Sequence, residues 1–275
     1  MSVKAKQNEP QILKEQYSAR HCYNGAQLFF VLSWLCCIAI TILAIFFENK
    51  NVELCAYIIA IITVFEFLFE RINQWYIKFG SAYRMKIDDY LFGWDYQEYY
   101  CDISVDFLTA FSNIIARLHK KRYLKQIRNT ENDKPRGVKD WYRLEAGMTK
   151  EDEIKSCQSE NIKFDKIIST VHIYFVITLA ICFFAILLKV DNKGLMFCSF
   201  ISVTIKILSY VIDIYQYIKC KNKRDCVLAQ IQNSTYDLEL VKKLQEVINH
   251  RRQLSMVPFS IIHYFVNKFQ SHSEN

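Results

Sequence analysis

Within the apolar stretch SFISVTIKILSYVIDIYQ, residues 199–216, Ser199, Ser202, Lys206, Ser209, Asp213 and Gln216 recur at steps of three and four. On a helix those steps place all six side chains on one face. A lysine or aspartate at mid-bilayer costs about 2.5–3.5 kcal/mol, so Lys206 needs water, a carboxylate or a pore. Three readings of the stripe stand. It lines a water path, it holds helices together as serines do in membranes, or it relays protons or a substrate. Ser199 to Asp213 covers ~21 Å of a hydrocarbon core ~30 Å thick. Glu66, in an earlier apolar run, is placed to pair with either charge.

A second cluster is the basic run ARLHKKRYLKQIR, residues 116–128, which suits solvent, lipid headgroups or an anionic ligand. Catalytic and metal chemistry find no pattern. There is no Gly-rich phosphate loop, no HExxH and no GxSxG, and the six histidines lack metal-ligand spacing. The ten cysteines form no CxxC pair and do not outline a disulfide scaffold. The residues therefore suggest no enzyme, no cofactor and no metal site.

The elements that must carry these side chains are four long apolar runs, Leu28–Phe47, Leu54–Phe69, Val171–Leu188 and Leu195–Tyr215. Runs of about 18 or more apolar residues match the bilayer core, so the expected fold is an all-α membrane protein with four transmembrane helices in two hairpins. The first run exceeds a signal-peptide core and reads as a retained span. Eighteen Lys or Arg fall in 70–170 and nine more from Gln216 onward, while the connections near 48–53 and 189–194 are short and almost neutral. The positive-inside rule then puts both termini and the middle segment in the cytosol. Basic residues beside an anionic leaflet account for most of the +7 net charge, so no DNA or RNA partner is implied.

The expected organisation is a cytosolic tail (1–27), a first hairpin (28–69), a helical cytosolic region (70–170), a second hairpin (171–215) and cytosolic C-terminal helices (216–275). The second span should continue as a helix through Ile72–Tyr100. Phe107, Leu108, Phe111, Ile114, Ile115 and Leu118 repeat at helical spacing. NTENDKPRG at 129–137 reads as an exposed loop, and Thr149 with Asp152 as a capping box opening the next helix. QWYIK at 74–78 and QYIK at 216–219 echo one another faintly.

KDWY at 139–142, followed by CQSENIKFD at 157–165, resembles the SMODS-associated four-transmembrane effectors of bacterial cyclic-oligonucleotide antiphage systems such as CBASS. ARHCYNGA (19–26), KIDDYLF (86–92) and INHRRQLSMVPFSIIHY (248–264) fall in the family's order. Asp88-Asp89-Tyr90 stand where the family more typically reads Gln-Glu-x-Phe-Asp. The resemblance implies a multi-pass effector of the bacterial inner membrane. It would be regulated by a cyclic oligonucleotide from a neighbouring nucleotidyltransferase and would permeabilise the bilayer, so that infection aborts. Four spans rarely enclose a wide pore, so a homo-oligomer or bilayer disruption is expected.

With a nucleotide implied, Trp141 and Tyr142 become candidates to stack on a base, with Lys139 and Arg143 supplying charge for phosphates. Gln158 and Asn161, one turn apart, are candidates to face the same ligand. The alternative is that these residues pin the loop to its neighbours. The candidate pore or gating residues are Glu66, Ser199, Ser202, Lys206, Ser209 and Asp213. Two rival functions use the same elements, a small ion channel or transporter without a defence role and a structural membrane scaffold.

Overall fold

With only six glycines and three prolines, the chain has few helix breakers, and long helices result. A computed structural model describes residues 2–46, 52–96, 102–130, 132–134, 136–187, 194–232 and 237–254. The described residues are helical with turns and loops. In order they form α1 (Val3–Lys6), α2 (Pro10–Phe46), α3 (Val52–Phe92), α4 (Val105–Leu118), α5 (Lys120–Gln126), α6 (Lys150–Leu187), α7 (Gly194–Gln232) and α8 (Leu238–Arg252). The all-helical expectation holds.

The helices α2, α3, α6 and α7 run for 37, 41, 38 and 39 residues. At ~1.5 Å per residue each is about twice as long as a ~30 Å hydrocarbon core requires. Each serves two compact units. Unit 1 takes Met1–Asn24, Tyr76–Lys166 and Lys219–Leu254, and unit 2 takes Gly25–Trp75 and Ile167–Ile218. Among the described residues, one helix, over Pro10–Ala44, meets the length and hydropathy of a membrane span. The hairpin connections at 47–51 and 188–193, and everything past Leu254, lie outside the described residues.

Local signals set the ends. Pro10 opens α2, where its missing N–H costs nothing. The helix α3 stops at Gly93, whose φ of +76° suits a residue without a Cβ. Gly93 N–H then donates to Tyr90 O (3.3 Å) and Trp94 N–H to Asp89 O (2.8 Å), a Schellman closure. The Phe92 and Trp94 rings meet edge-on at 5.0 Å beside it. Asp152 N–H donates to Thr149 Oγ1 (3.2 Å) and the Thr149 hydroxyl donates to Asp152 Oδ2 (2.7 Å), so the expected cap at the start of α6 is formed.

Unit 1 has an ordinary apolar interior. Tyr17 and Cys22 of α2, Phe79, Tyr83 and Met85 of α3, and Leu108 and Ile115 of α4 form one cluster. Val3, Ile12, Ile87, Leu91, Tyr142, Ile154, Cys157 and Val241 form a second. The loop before α6 is fastened by backbone bonds as well. Gly137, Val138 and Lys139 donate to the carbonyls of Thr130, Gln126 and Asn129. Gly137 passes so near the Asn129 carbonyl that a Cβ would collide with it.

Unit 2 is arranged the other way round. Leu35, Ile38, Ile61, Val64, Leu208 and Val211 stand exposed, while Ser33, Asn73 and Lys206 are buried. In water so large an apolar surface would be costly, whereas facing lipid it is the expected exterior.

Candidate functional site

Two buried polar centres stand out, one in each unit. In unit 2, Lys206 of α7 is only 6 % exposed. Its Nζ lies 2.5 Å from Glu66 Oε1 and 3.5 Å from Glu70 Oε2, both on α3. It also donates to Ser33 Oγ of α2. An ammonium has three protons, and this knot supplies three acceptors. The Ser33 hydroxyl lies 3.0 Å from Glu66 Oε1 and 3.5 Å from Glu70 Oε2. The Trp34 ring centroid is 5.4 Å from Nζ, adding a cation–π contact. Phe30, Trp34 and Tyr210 pack against one another around it. Three helices are thereby joined through one cation.

The proposed stripe on α7 divides in this setting. Lys206 is brought to Glu66, while Ser209 is exposed and Asp213 is half-buried. The side chains of Ser199 and Ser202 lie outside the described residues. Sequence reasoning missed Ser33, Trp34 and Glu70. A signal for Glu70 was present, because it lies four residues from Glu66 and so on the same face of α3.

In unit 1 the centre is Asp88 of α3, fully buried. Tyr142 OH donates to its Oδ1 at 2.6 Å, and Gln245 Nε2 and Arg252 Nη1 donate to Oδ2 at 2.9 and 2.8 Å. Asn249 Oδ1 accepts from the same Gln245 and Arg252 groups at 3.1 and 3.2 Å. Asn161 Nδ2 donates to the Tyr142 oxygen at 3.1 Å. Gln158 Nε2 donates to Val241 O (3.0 Å) and Gln245 Oε1 (3.2 Å). Gln7 clamps the Tyr142 backbone, accepting from its N–H at 2.9 Å and donating to its carbonyl at 3.2 Å. Asn8 accepts from the Asp140 N–H at 3.0 Å and donates to the Asp140 carboxylate Oδ1 at 2.6 Å.

The electrostatics follow from this burial. Loss of solvent, then the neighbouring Asp88 charge, pushes the Tyr142 hydroxyl far above its usual range, so it stays a donor. Burial alone would lower Arg252, but Asp88 and Tyr142 outweigh it and hold the guanidinium charged. Asp89, beside the hub, is raised to about 7, first by burial and then by the Asp88 charge. Burial lowers Arg84, which lies 3.5 Å over the Trp141 ring with Nη1 making no hydrogen bond.

Of the candidate ligand residues, Trp141, Tyr142, Gln158 and Asn161 gather at this hub or its edge. Tyr142 and Gln158 are buried, and Trp141 and Asn161 half-buried. Lys139 and Arg143 are exposed on either side of Trp141. Arg143 reaches Asn132 Oδ1 through Nη2 at 3.3 Å, and its N–H donates to Glu160 Oε1 at 3.1 Å. Asp88, Gln245 and Arg252 were missed. Their sequence separations from Asp88, 157 and 164 residues for the two α8 groups, leave no local signal. Among the described residues no group of three or more His, Cys, Asp or Glu could hold a metal ion.

Residues 1–215 match the model of a family described as the SMODS-associating 4TM effector domain. No curated protein and no solved structure matches the chain.

Proposed function

Because the chain belongs to the SMODS-associating 4TM effector family, we propose that it is a signal-gated membrane effector with four spans supplied by α2, α3, α6 and α7. Both termini and unit 1 face the cytosol, in keeping with the Lys and Arg concentrated at 70–170 and after 216. A cyclic oligonucleotide from a neighbouring nucleotidyltransferase engages unit 1. Unit 2, assembled as a homo-oligomer, then permeabilises the inner membrane, and infection aborts.

The family match carries this reading, and the inside-out polarity of unit 2 supports its membrane half. The Lys206–Glu66–Glu70 knot acts as the lock of the resting bundle. Breaking this partly exposed pair costs about 2–3 kcal/mol, enough to bias the bundle towards a closed state. Continuous helices give the signal a path, since α2, α3, α6 and α7 each contribute to both units.

The nucleotide face is the exposed part of Trp141 with Lys139 and Arg143 beside it. Tyr142, Gln158 and Asn161 hold that face to Asp88 rather than touching the ligand, as the burial of Tyr142 and Gln158 and the Asn161–Tyr142 hydrogen bond favour.

Expression together with the cognate signal should depolarise the inner membrane before viability falls. A potential-sensitive dye that stays unchanged while the cells die would replace this reading with an enzymatic or scaffolding one.

A further inference from the structure

The helix α4 carries two apolar faces, and one is packed far more closely than the other, although Phe107 of the second still meets the Phe79 ring at 5.7 Å between centroids. At ~100° per residue, Leu108, Ser112, Ile115 and Ala116 lie on one side. They are buried, with Leu108 and Ile115 packed against Tyr83 and Phe79. Phe107, Ile114 and Leu118 fall within ~20° of a common direction roughly a third of a turn away. They are 50 %, 52 % and 73 % exposed. The described part of unit 1 otherwise leaves few large apolar side chains in the open. Of those, Leu124 also belongs to this region, on α5.

The charge around the face is one-sided. Arg117, Lys120, Lys121, Arg122 and Lys125 are all exposed, against a single acid, Asp106, on α4 and α5. His119 breaks the helix between them, with φ −110° and ψ 34°, so the basic turn is set at its own angle beyond Leu118. An apolar ridge ending in a cationic turn fits the boundary between acyl chains and anionic headgroups, where each basic residue adds to the attraction.

We infer that α4 and α5 form an interfacial anchor, with Phe107, Ile114 and Leu118 inserted into an anionic phospholipid leaflet and the basic turn on its headgroups. The occupant is lipid rather than a second copy of the chain. Two copies meeting through this face would bring their basic turns together without acids to offset them. A membrane is at hand because the chain belongs to a membrane effector family.

The test uses the full chain, reconstituted in vesicles of phosphatidylcholine alone or of an equal mixture with phosphatidylglycerol. An environment-sensitive dye is attached at Leu118→Cys, or at Asp106→Cys as a control, on a background without other accessible cysteines. Both sites are exposed, so the fold should tolerate them, which an unchanged thermal midpoint verifies. Brominated lipid should quench the dye at 118 roughly twofold more in anionic vesicles than in neutral ones, and more than at 106 in either. Lys120→Glu with Lys121→Glu, or high salt, should remove that difference. Equal quenching at 118 and 106, or quenching indifferent to lipid charge, would overturn the anchor. So would dye–dye excimer emission at 118, which would assign the face to a second copy.

Discussion

The two units handle buried charge in opposite ways. At the hub of unit 1 the buried carboxylate of Asp88 receives donors from the loop before α6 and from α8, so that both of its oxygens are engaged. In unit 2 a single ammonium, Lys206, sits among helices with an apolar exterior, and two carboxylates share it. At the hub Asp88, Tyr142, Gln245 and Asn249 are buried and Arg252 is 11 % exposed, while Glu66 and Glu70 remain 22 % and 31 % exposed. A saturated, mostly buried centre fixes one arrangement, because no partner can leave without stranding another. A centre with two acceptors for one cation can trade partners at lower cost. That difference suits the proposed roles of unit 1 as a rigid sensor and of unit 2 as a switchable lock.

The contrast is broken most severely by Asp88→Ala. Arg252 would be left buried and uncompensated, and Tyr142 and Gln245 would lose their acceptor, for a loss of about 3–5 kcal/mol. Lys206→Met should cost less, about 2–3 kcal/mol, because partly exposed carboxylates can take up a proton or water. Adding Glu66→Gln to Lys206→Met should recover part of that loss. Chemical denaturation of the purified variants in detergent measures all three. A Lys206→Met protein less stable than Asp88→Ala would reverse the assignment of rigid and switchable centres.

A smaller effect separates the units by pH. Asp89 keeps its proton up to about 7 in the folded chain, against an ordinary value of 3.8. Between those values the folded state binds more protons than the unfolded state, so stability falls as pH rises through the window. From about pH 5.5 to about pH 7.5 the loss should be about 2 kcal/mol. Asp89→Asn should flatten that slope and leave the protein more stable at the upper end. An unchanged slope in Asp89→Asn would mean that another group near the hub titrates instead.

Much of the fold was legible in residue order alone. The helical continuation of α3 past residue 72, which stops at Phe92 rather than Tyr100 because Gly93 closes it, and the cap at Thr149 follow from local pattern, which is where physical signals are strong. The apolar spacing of α4 was legible too, but it marked a helix with two apolar faces, and periodicity does not say which of them is packed. Lys206 drew attention because a charge in an apolar run is costly wherever it sits. Its partner Glu66 was nameable for the same reason, whereas Glu70 lay at the edge of its run and passed as a boundary residue. Asp88 was the least visible, one of two adjacent acids on a polar-looking stretch. Its role depends on Tyr142, 54 residues away, and on α8, which lies beyond the residues that match the family. Burial created by distant segments leaves no periodic trace.

The finest distinction concerns Trp141, at the edge of the rigid centre. Arg84 covers one face of its ring at 3.5 Å, and the rest of the half-buried side chain lies between the exposed Lys139 and Arg143. Trp141→Leu fills much of the same space but has no π-face. Its cost to stability should therefore be about 1 kcal/mol, the size of a partly desolvated cation–π contact. If Trp141 only shields Arg84, nothing further changes. If it also stacks on a base, about 1–3 kcal/mol of binding is lost with the ring, or roughly five- to 150-fold in Kd. Titrating the purified full chain with cyclic oligonucleotides while following its thermal midpoint keeps the two contributions apart. A Kd weakened at least about fivefold beside a midpoint lowered by only about 2–4 °C places the nucleotide on Trp141, and an unchanged Kd returns Trp141 to the packing of unit 1.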